Sequence, residues 1–212
     1  MANIIFAGTP EFSVPSLMAL TEIGFHPSLV ITQPDRRAGR GKKIKKSPVK
    51  IAAEKLQIPI SQPVSINESE YLEYLNQIDI EIIVVAAYGM IFSEKLLAIP
   101  KLGCINIHAS LLPSWRGASP VQATILNGDE ETGITLMKMT KGLDSGPIYS
   151  QHKMKLTQTE SCDVLMESLG NLGAKAIRND FKTILKQNLK AESQKNSEAS
   201  YSNKIEKKDA EL

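Results

Sequence analysis

The sequence is poor in several features that define whole classes of protein. It has two cysteines, Cys104 and Cys162, and one tryptophan in 212 residues. The cysteines are far apart and lie in no metal-ligand spacing, so neither a disulfide framework nor a zinc site is predicted, and both are interpreted as packing residues. The chain opens without a secretory leader pattern, and its longest apolar run, near residues 82–87, is too short to cross a bilayer. A cytoplasmic location is therefore expected.

Three motifs of nucleotide and acyl-transfer sites are also missing. The opening "FAGTPEF" lacks the G-x-G-x-x-G spacing that brings a backbone close to pyrophosphate, which disfavours a nicotinamide-dependent oxidoreductase. The sequence contains no G-x-x-x-x-G-K-[ST] loop, so ATP or GTP hydrolysis has no support. It contains no G-x-S-x-G turn, and Cys104 lies inside a predicted strand without a base. Direct attack by an acceptor, without a covalent enzyme intermediate, is the simpler mechanism.

The charge of the chain is concentrated in one short segment. The net charge is +2, but residues 34–50 carry a local balance of +7, which leaves the rest of the chain at −5. The basic residues of this segment are Arg36, Arg37, Arg40, Lys42, Lys43, Lys45, Lys46 and Lys50. Such a segment is often a solvated loop, although a position near a ligand site favours a polyanionic partner.

The predicted elements alternate between strands and helices. Apolar strands are expected at "NIIFAG", "SLVITQ" and "IEIIVVAA", and Ser47 followed by Pro48 predicts a helix start. The segments "TGITLMKM" and "DSGPIYSQHKMKL" are expected to pair as antiparallel strands. The sequence therefore predicts an α/β fold: an open, mostly parallel, doubly wound (Rossmann-like) sheet with helices on both faces. A catalytic domain is expected over residues 1–189, and residues 190–212 have the composition of a linker or tail.

A candidate site lies at the end of one predicted strand, in "CINIHASLLPSWRGASP". Asn106 and His108 are two residues apart, so their side chains share one face at the carboxyl end, where ligands bind in open α/β sheets. An asparagine can donate a hydrogen bond to an oxyanion, and a histidine can exchange a proton near neutral pH. Asp144 can orient or charge that imidazole. Together these groups suit acyl transfer to an amine.

Each of these residues also has a purely structural interpretation. A histidine on a strand is more often a hydrogen-bonded structural residue than a catalytic one, and Asp144 in "LDSG" is typical of a turn. Trp115 is more often found covering an apolar surface than stacked on a ligand. No single residue decides between the two interpretations.

Five segments, in order, carry a resemblance to one family. They are "FAGTPEFSVPSL", "TQPDRRAGRGKKIKKSPVK", "VVAAYGMIF", "GCINIHASLLPSWRGASPVQ" and "GDEETGITLMKMTKGLDSGPI". Over about residues 3–148 the chain resembles the formyltransferase domain of the methionyl-tRNA formyltransferase family. The resemblance implies transfer of a formyl group from 10-formyltetrahydrofolate to the amino group of methionyl initiator tRNA, in a monomer that uses no metal.

The resemblance also implies roles for particular residues. Asn106, His108 and Asp144 would be catalytic and act on the tetrahedral intermediate. The folate donor would contact Tyr88, Gly89, Met90, Ile91, Ser110, Leu111, Leu112 and Pro113. The tRNA would contact Arg36, Arg37, Arg40, Lys42, Lys43, Lys45 and Lys46, with Arg40 at the position of the family's main tRNA-contacting arginine.

Two alternatives stay open at this stage. One is a folate-dependent formyltransferase that acts on a small amine such as glycinamide ribonucleotide, and the other is a non-catalytic tRNA-binding fragment. The basic segment favours tRNA over a small amine, because lysine and arginine side chains neutralise phosphates. The family continues into a C-terminal β-barrel, for which this sequence contains no counterpart, so weak tRNA binding by a competent catalytic domain is expected.

Overall fold

A computed structural model describes residues 2–38, 43–205 and 209 of the chain. Strands and helices alternate along most of it. The strands are β1 (Ile4–Gly8), β2 (Leu29–Ile31), β3 (Arg36–Ala38), β4 (Lys43–Lys45), β5 (Ile60–Ser61), β6 (Ile82–Ala86), β7 (Cys104–His108), β8 (Arg116–Gly117), β9 (Glu131–Lys138), β10 (Ile148–Lys155) and β11 (Tyr201–Ser202). The helices are α1 (Val14–Glu22), α2 (Pro48–Lys55), α3 (Ser69–Asn76), α4 (Glu94–Leu97), α5 (Pro120–Asn127) and α6 (Cys162–Leu185).

Seven of the strands form one sheet, in the order β10-β9-β7-β6-β1-β2-β5. Strands β5, β2, β1, β6 and β7 are parallel to one another. Strand β9 is antiparallel both to β7 and to β10. The prediction of an open, mostly parallel sheet with an antiparallel extension is therefore confirmed.

Helices cover both faces of this sheet. In β1, Ile4 and Phe6 belong to a core cluster that includes residues of α1, α2 and α6. The alternate residues Ile5 and Ala7 belong to a second cluster, which includes residues of α3 and α4. Successive side chains of a strand point to opposite faces, so a strand buried on both sides must be apolar at every position. This requirement explains the continuous apolar runs and confirms the doubly wound fold.

The predicted helix starts are present. The Oγ atom of Ser47 accepts a hydrogen bond from the backbone N–H of Lys50 at 3.0 Å, and Pro48 is the first residue of α2. Ser161 caps α6 in the same way, through the N–H of Val164. These bonds satisfy backbone donors that a helix leaves unpaired in its first turn. None of the described helices is long and apolar enough to span a membrane.

Two segments differ from a simple loop or tail. The basic segment contains an antiparallel hairpin of β3 and β4, with Arg36 opposite Lys45. Arg40 and Lys42 lie outside the described residues. After α6, the chain folds back and β11 pairs in parallel with β8, in a separate two-stranded sheet. The domain boundary at residue 189 stays a prediction.

A substitution at Gly133 in β9 tests how closely the antiparallel strands β9 and β10 are packed. A methyl group on Gly133 would overlap the carbonyl oxygen of His152 in β10 and the side chain of Leu111. We expect Gly133→Ala to lower the free energy of unfolding by about 1–3 kcal/mol, because backbone cannot move aside as a side chain can. The measurement is chemical denaturation. The matched control is Gly142→Ala, where the overlap is with the rotatable hydroxyl of Ser145, and its stability should stay within about 1 kcal/mol of the wild type. Equal effects of the two substitutions would contradict this account.

Candidate active site

The loops that follow the parallel strands meet at one edge of the sheet. The carbonyl oxygen of Tyr88, after β6, accepts hydrogen bonds from Oγ1 of Thr9 at 3.0 Å and from Nε2 of Gln33 at 3.3 Å. Thr9 follows β1 and Gln33 follows β2. Three connections are therefore tied together at the carboxyl edge, where open α/β sheets bind their ligands.

The polar face of β7 lies in this region. Ile105 and Ile107 pack into the cluster shared with α1 and α6, so Asn106 and His108 face the other side. His108 is 5% exposed, and Asn106 is half-buried. Cys104 lies on the same face, deeper in the strand, and is completely buried. The sharing of one face by Asn106 and His108 agrees with the period-two geometry of a strand.

Asp144 reaches these residues by an unexpected route. Strand β9 runs antiparallel to β7, with Lys138 opposite Ile105, so the chain after β9 leaves at the amino end of β7. The turn that contains Asp144 therefore starts from the opposite end of β7. The connection between β9 and β10 folds back over the sheet instead, and it brings Asp144 to Asn106.

The carboxylate of Asp144 lies between three polar groups. Its Oδ2 atom accepts a hydrogen bond from the backbone N–H of Gly117 at 2.9 Å. Its Oδ1 atom lies 3.4 Å from Nδ2 of Asn106, and its Oδ2 atom lies 3.8 Å from Nδ1 of His108. The Gly117 contact is a normal hydrogen bond, whereas the other two are long. Asn106, His108 and Asp144 are thus brought together, as the sequence predicted.

The orientation of His108 fixes which ring nitrogen faces Asp144. The Nε2 atom lies 3.0 Å from the carbonyl oxygen of Trp115. A carbonyl oxygen only accepts hydrogen bonds, so Nε2 must carry a hydrogen atom. In neutral His108 the unprotonated nitrogen is therefore Nδ1, on the Asp144 side, and that atom is the one that can take up a proton.

A cavity of about 660 Å³ opens beside these three residues, all of which line it. This volume lies within the range of about 300–1,000 Å³ that is usual for small-molecule sites. Four of the predicted folate contacts line the cavity: Tyr88, Gly89, Met90 and Ile91. Further apolar residues of the lining are Phe92, Met137, Met139 and Met166.

The other four predicted folate contacts are Ser110, Leu111, Leu112 and Pro113, and they are not part of this lining. Their segment is held by hydrogen bonds from Ser110 Oγ to the carbonyl of Ser114 and from the N–H of Leu112 to Oγ1 of Thr135. Their placement gives the folate assignment no support and indicates a role in shaping the loop before Trp115.

Several charges at the base of the basic hairpin already have partners. Arg36 donates from Nη2 to Oε1 of Gln33 at 2.9 Å, and Lys46 forms a 2.8 Å ion pair with Glu54. Lys50 pairs with Asp35 at 2.7 Å, and this hydrogen bond is the main reason why the pKa of Asp35 lies below its usual value. The hairpin is therefore anchored to the sheet edge through its base. The predicted contacts Arg37, Lys43 and Lys45 belong to its two strands.

Part of the cavity wall comes from a segment in which the sequence indicated no site. Ser202, Asn203 and Lys204 line the cavity, although they follow α6 in a stretch with few apolar residues. Periodicity gives no signal for such a segment, because its contacts are mostly hydrogen bonds. Among the described residues, no group of three or more His, Cys, Asp or Glu side chains is placed to hold a metal ion.

Comparison with known proteins places this geometry in a family. The model of the formyl transferase family matches residues 2–180. A methionyl-tRNA formyltransferase from Nitrosospira multiformis is 46% identical over 210 residues, and one from Legionella pneumophila (strain Paris) is 43% identical over the same length. The chain belongs to the methionyl-tRNA formyltransferase family. Each alignment covers 99% of this chain and 67% of the relative, so the chain spans about two thirds of their length.

Solved structures of formyltransferases share the fold. A methionyl-tRNA formyltransferase from Clostridium thermocellum matches with a TM-score of 0.64 and 19% identity, over 100% of this chain and 76% of that one. A phosphoribosylglycinamide formyltransferase from Streptococcus pneumoniae matches with a TM-score of 0.71 and 18% identity, over 87% and 99%. A sugar 3N-formyl transferase, solved with dTDP and 5-N-formyl-THF, matches with a TM-score of 0.73 and 24% identity, over 99% and 71%.

The Cys104 thiol provides a test of whether this formyltransferase site contains a reactive thiol. Burial raises the pKa of Cys104 to about 12. At pH 8 we expect iodoacetamide to label Cys104 about 1,000-fold more slowly than free cysteine, because only the thiolate reacts. The rate should rise about tenfold per pH unit between pH 7 and 9, since the thiolate fraction rises by that factor below the pKa.

The labelling is followed by mass spectrometry in a Cys162→Ser background, which leaves Cys104 as the sole thiol. The urea-unfolded protein serves as the control and should label at the rate of free cysteine. Fast labelling of Cys104 in the folded protein would contradict the assignment of this residue to packing.

Proposed function

We propose that this site transfers a formyl group from 10-formyltetrahydrofolate to the amino group of methionyl initiator tRNA. The observation that carries the proposal is the meeting of Asn106, His108 and Asp144 in the wall of a cavity of small-molecule size. The family membership of the chain supports the same reaction.

The three side chains suit attack by an amine on a formyl carbon. The amide of Asn106 has two N–H donors, and its one described bond, to Asp144, is long. It can therefore donate to the oxygen that becomes negative as the carbon turns tetrahedral. His108, when protonated on Nδ1, adds a second donor and a positive charge on the same side. Both groups stabilise the transition state more than the neutral formyl group, which is the condition for catalysis.

Asp144 is proposed to assist the removal of a proton from the attacking amine. In the complete step, a bond forms between the amine nitrogen and the formyl carbon, and the bond from that carbon to the donor nitrogen breaks. The amine loses one proton and the released donor nitrogen gains one. Asp144 is half-buried and negatively charged at the point where the amine becomes positive, so it favours this charge and then accepts the proton directly or through water.

We assign the folate to the wall formed by Tyr88, Gly89, Met90 and Ile91. Two features support this assignment. The wall is largely apolar, and the rings of Tyr88 and Phe92 pack edge to face at 6.0 Å, which gives a fixed surface beside the cavity. Gly89 has a positive φ of 89°, a conformation that a side chain would strain, so backbone can approach a ligand closely here.

We assign the tRNA to the basic hairpin of β3 and β4. In this hairpin, Arg36 lies directly opposite Lys45, and both are exposed. Like charges placed opposite each other on neighbouring strands are destabilising. A polyanion that neutralises both removes this cost, so the pairing favours a phosphate backbone as partner. Arg40, outside the described residues, is proposed as a tRNA contact from the sequence alone.

A comparison of acceptors tests the proposed function. We expect formyl transfer from 10-formyltetrahydrofolate to methionyl initiator tRNA, and none to glycinamide ribonucleotide. The rate of transfer to tRNA should fall steeply as the salt concentration rises, because each neutralised phosphate releases counterions on binding.

The substitution Arg40→Ala should lower tRNA turnover and leave the binding of the donor, measured by fluorescence titration, unchanged. Transfer to the small amine would identify a different acceptor, and tRNA binding without transfer would indicate a non-catalytic module.

Asp144→Asn tests the assignment of the carboxylate. Asparagine keeps the size of the side chain, tolerates the positive φ of 44° and can still accept from the N–H of Gly117. We expect kcat to fall by about 100-fold or more, because the charge and the proton acceptor are lost. The control is Asp163→Asn, an exposed carboxylate in the first turn of α6. Unchanged turnover of Asp144→Asn across the pH range would remove Asp144 from the mechanism.

A further inference from the structure

The chain after α6 forms a strap along the loop that carries Trp115, Arg116 and Gly117. We define the strap as residues 192–202. Ser200 donates from its backbone N–H to the carbonyl of Pro113 at 3.3 Å and accepts from the N–H of Arg116 at 2.9 Å. Two residues on, the carbonyl of Ser202 accepts from the N–H of Ala118 at 3.0 Å. These bonds are sheet-like, and they give the strap a fixed register on the loop.

Arg116 is the side chain that joins the loop to the strap. It is 2% exposed, which is rare for an arginine. Its Nε and Nη2 atoms donate to Oε1 of Gln194 at 3.0 and 2.8 Å, and Nη2 also donates to Oδ1 of Asn196 at 3.0 Å. Its Nη1 atom lies 3.4 Å from the hydroxyl of Tyr201. Each of these partners belongs to the strap and is neutral.

Gln194 continues this chain of hydrogen bonds to the catalytic turn. While its Oε1 atom accepts from Arg116, its Nε2 atom donates to the carbonyl of Asp144 at 2.8 Å and to the carbonyl of Gly146 at 2.7 Å. One amide therefore links a buried guanidinium to the backbone of the residue whose carboxylate faces His108.

The backbone of Asp144 needs such support. Its φ of 44° lies in the left-handed region, which residues other than glycine rarely adopt. A conformation of this kind persists only where the surrounding structure holds it. The carboxylate must also stay within reach of the N–H of Gly117, on the other side of the junction.

We propose that Gln194 is a positioning residue for Asp144, acting together with Arg116. The inference deepens the proposed function and rests on it, because it assigns a catalytic task to the carboxylate that Gln194 holds. The strap is then a working part of the active site.

The substitution Gln194→Glu separates this role from simple docking of the strap. A carboxylate of the same shape still accepts both bonds from Arg116, so the strap should stay docked. It has no N–H to donate to the carbonyls of Asp144 and Gly146, and it repels them. The matched control is Gln158→Glu, because Gln158 donates in the same way to the carbonyl of Asp129, on the surface away from the cavity.

The first measurement is steady-state kinetics with methionyl initiator tRNA. We expect Gln194→Glu to lower kcat by about 10- to 100-fold, because a small misplacement of a catalytic group has an effect of this size. The KM for the folate donor should change less than kcat, since the donor is assigned to the wall formed by Tyr88, Gly89, Met90 and Ile91. Gln158→Glu should match the wild type. Unchanged kcat in Gln194→Glu, or a loss that appears only in KM, would overturn the proposal.

The second measurement does not depend on turnover. Amide hydrogen exchange is followed by NMR at Gly117, whose N–H donates to Asp144, and at Arg116 and Ala118, whose N–H groups donate to the strap. We expect Gln194→Glu to accelerate exchange at Gly117 by about tenfold or more and to leave the other two amides protected.

Equal acceleration at all three amides would mean that the strap has detached, and would overturn a specific role for Gln194. Unchanged protection at Gly117 would overturn it as well. If the wild-type protein transfers no formyl group to tRNA, the proposed function fails. The exchange pattern then still decides whether Gln194 positions Asp144.

Discussion

The site depends on the contacts of the Asp144 carboxylate, because they join three separate segments of the chain. Asn106 and His108 come from β7, Gly117 comes from the loop after it, and Asp144 comes from the connection between β9 and β10. The left-handed backbone at Asp144 costs of the order of 1–3 kcal/mol. Only the sum of the surrounding contacts can hold it, so the geometry of the site is a property of the whole constellation.

The basic hairpin of β3 and β4 is not part of the cavity wall. The cavity wall is largely apolar. Electrostatic interactions inside the cavity are therefore stronger than in water, because an apolar environment has a lower dielectric constant and screens charges less. The basic hairpin carries the positive charge on the outside, where it acts over about 8–10 Å at moderate salt. The protein thus combines a largely apolar cavity, with Asn106, His108 and Asp144 in its wall, and an exposed basic hairpin outside that wall.

Much of the fold and part of the site follow from sequence. Strands such as Ile82–Ala86 are recognisable because burial on both faces requires apolar residues at every position. The shared face of Asn106 and His108 follows from strand geometry alone. The path of Asp144 does not, because the direction of β9 is set by pairing with β7, about 30 residues away in sequence. The turn then folds back through contacts that have no local sequence pattern. The strap is equally hidden, since its composition resembles a tail.

The strap has the composition of a tail and is still fixed in place, because hydrogen bonds and not apolar contacts attach it to the loop and to Arg116. A buried guanidinium needs acceptors around it, and a glutamate at position 194 would supply a stronger one than an amide. The same side chain also donates to the carbonyls of Asp144 and Gly146, which a carboxylate cannot do. Glutamine meets both demands with one side chain, because its amide carries an acceptor and two donors. Hydrophobicity gives no signal for Gln194. Its identity is instead specified by the hydrogen bonds that it accepts from Arg116 and donates to the backbone of the Asp144 turn.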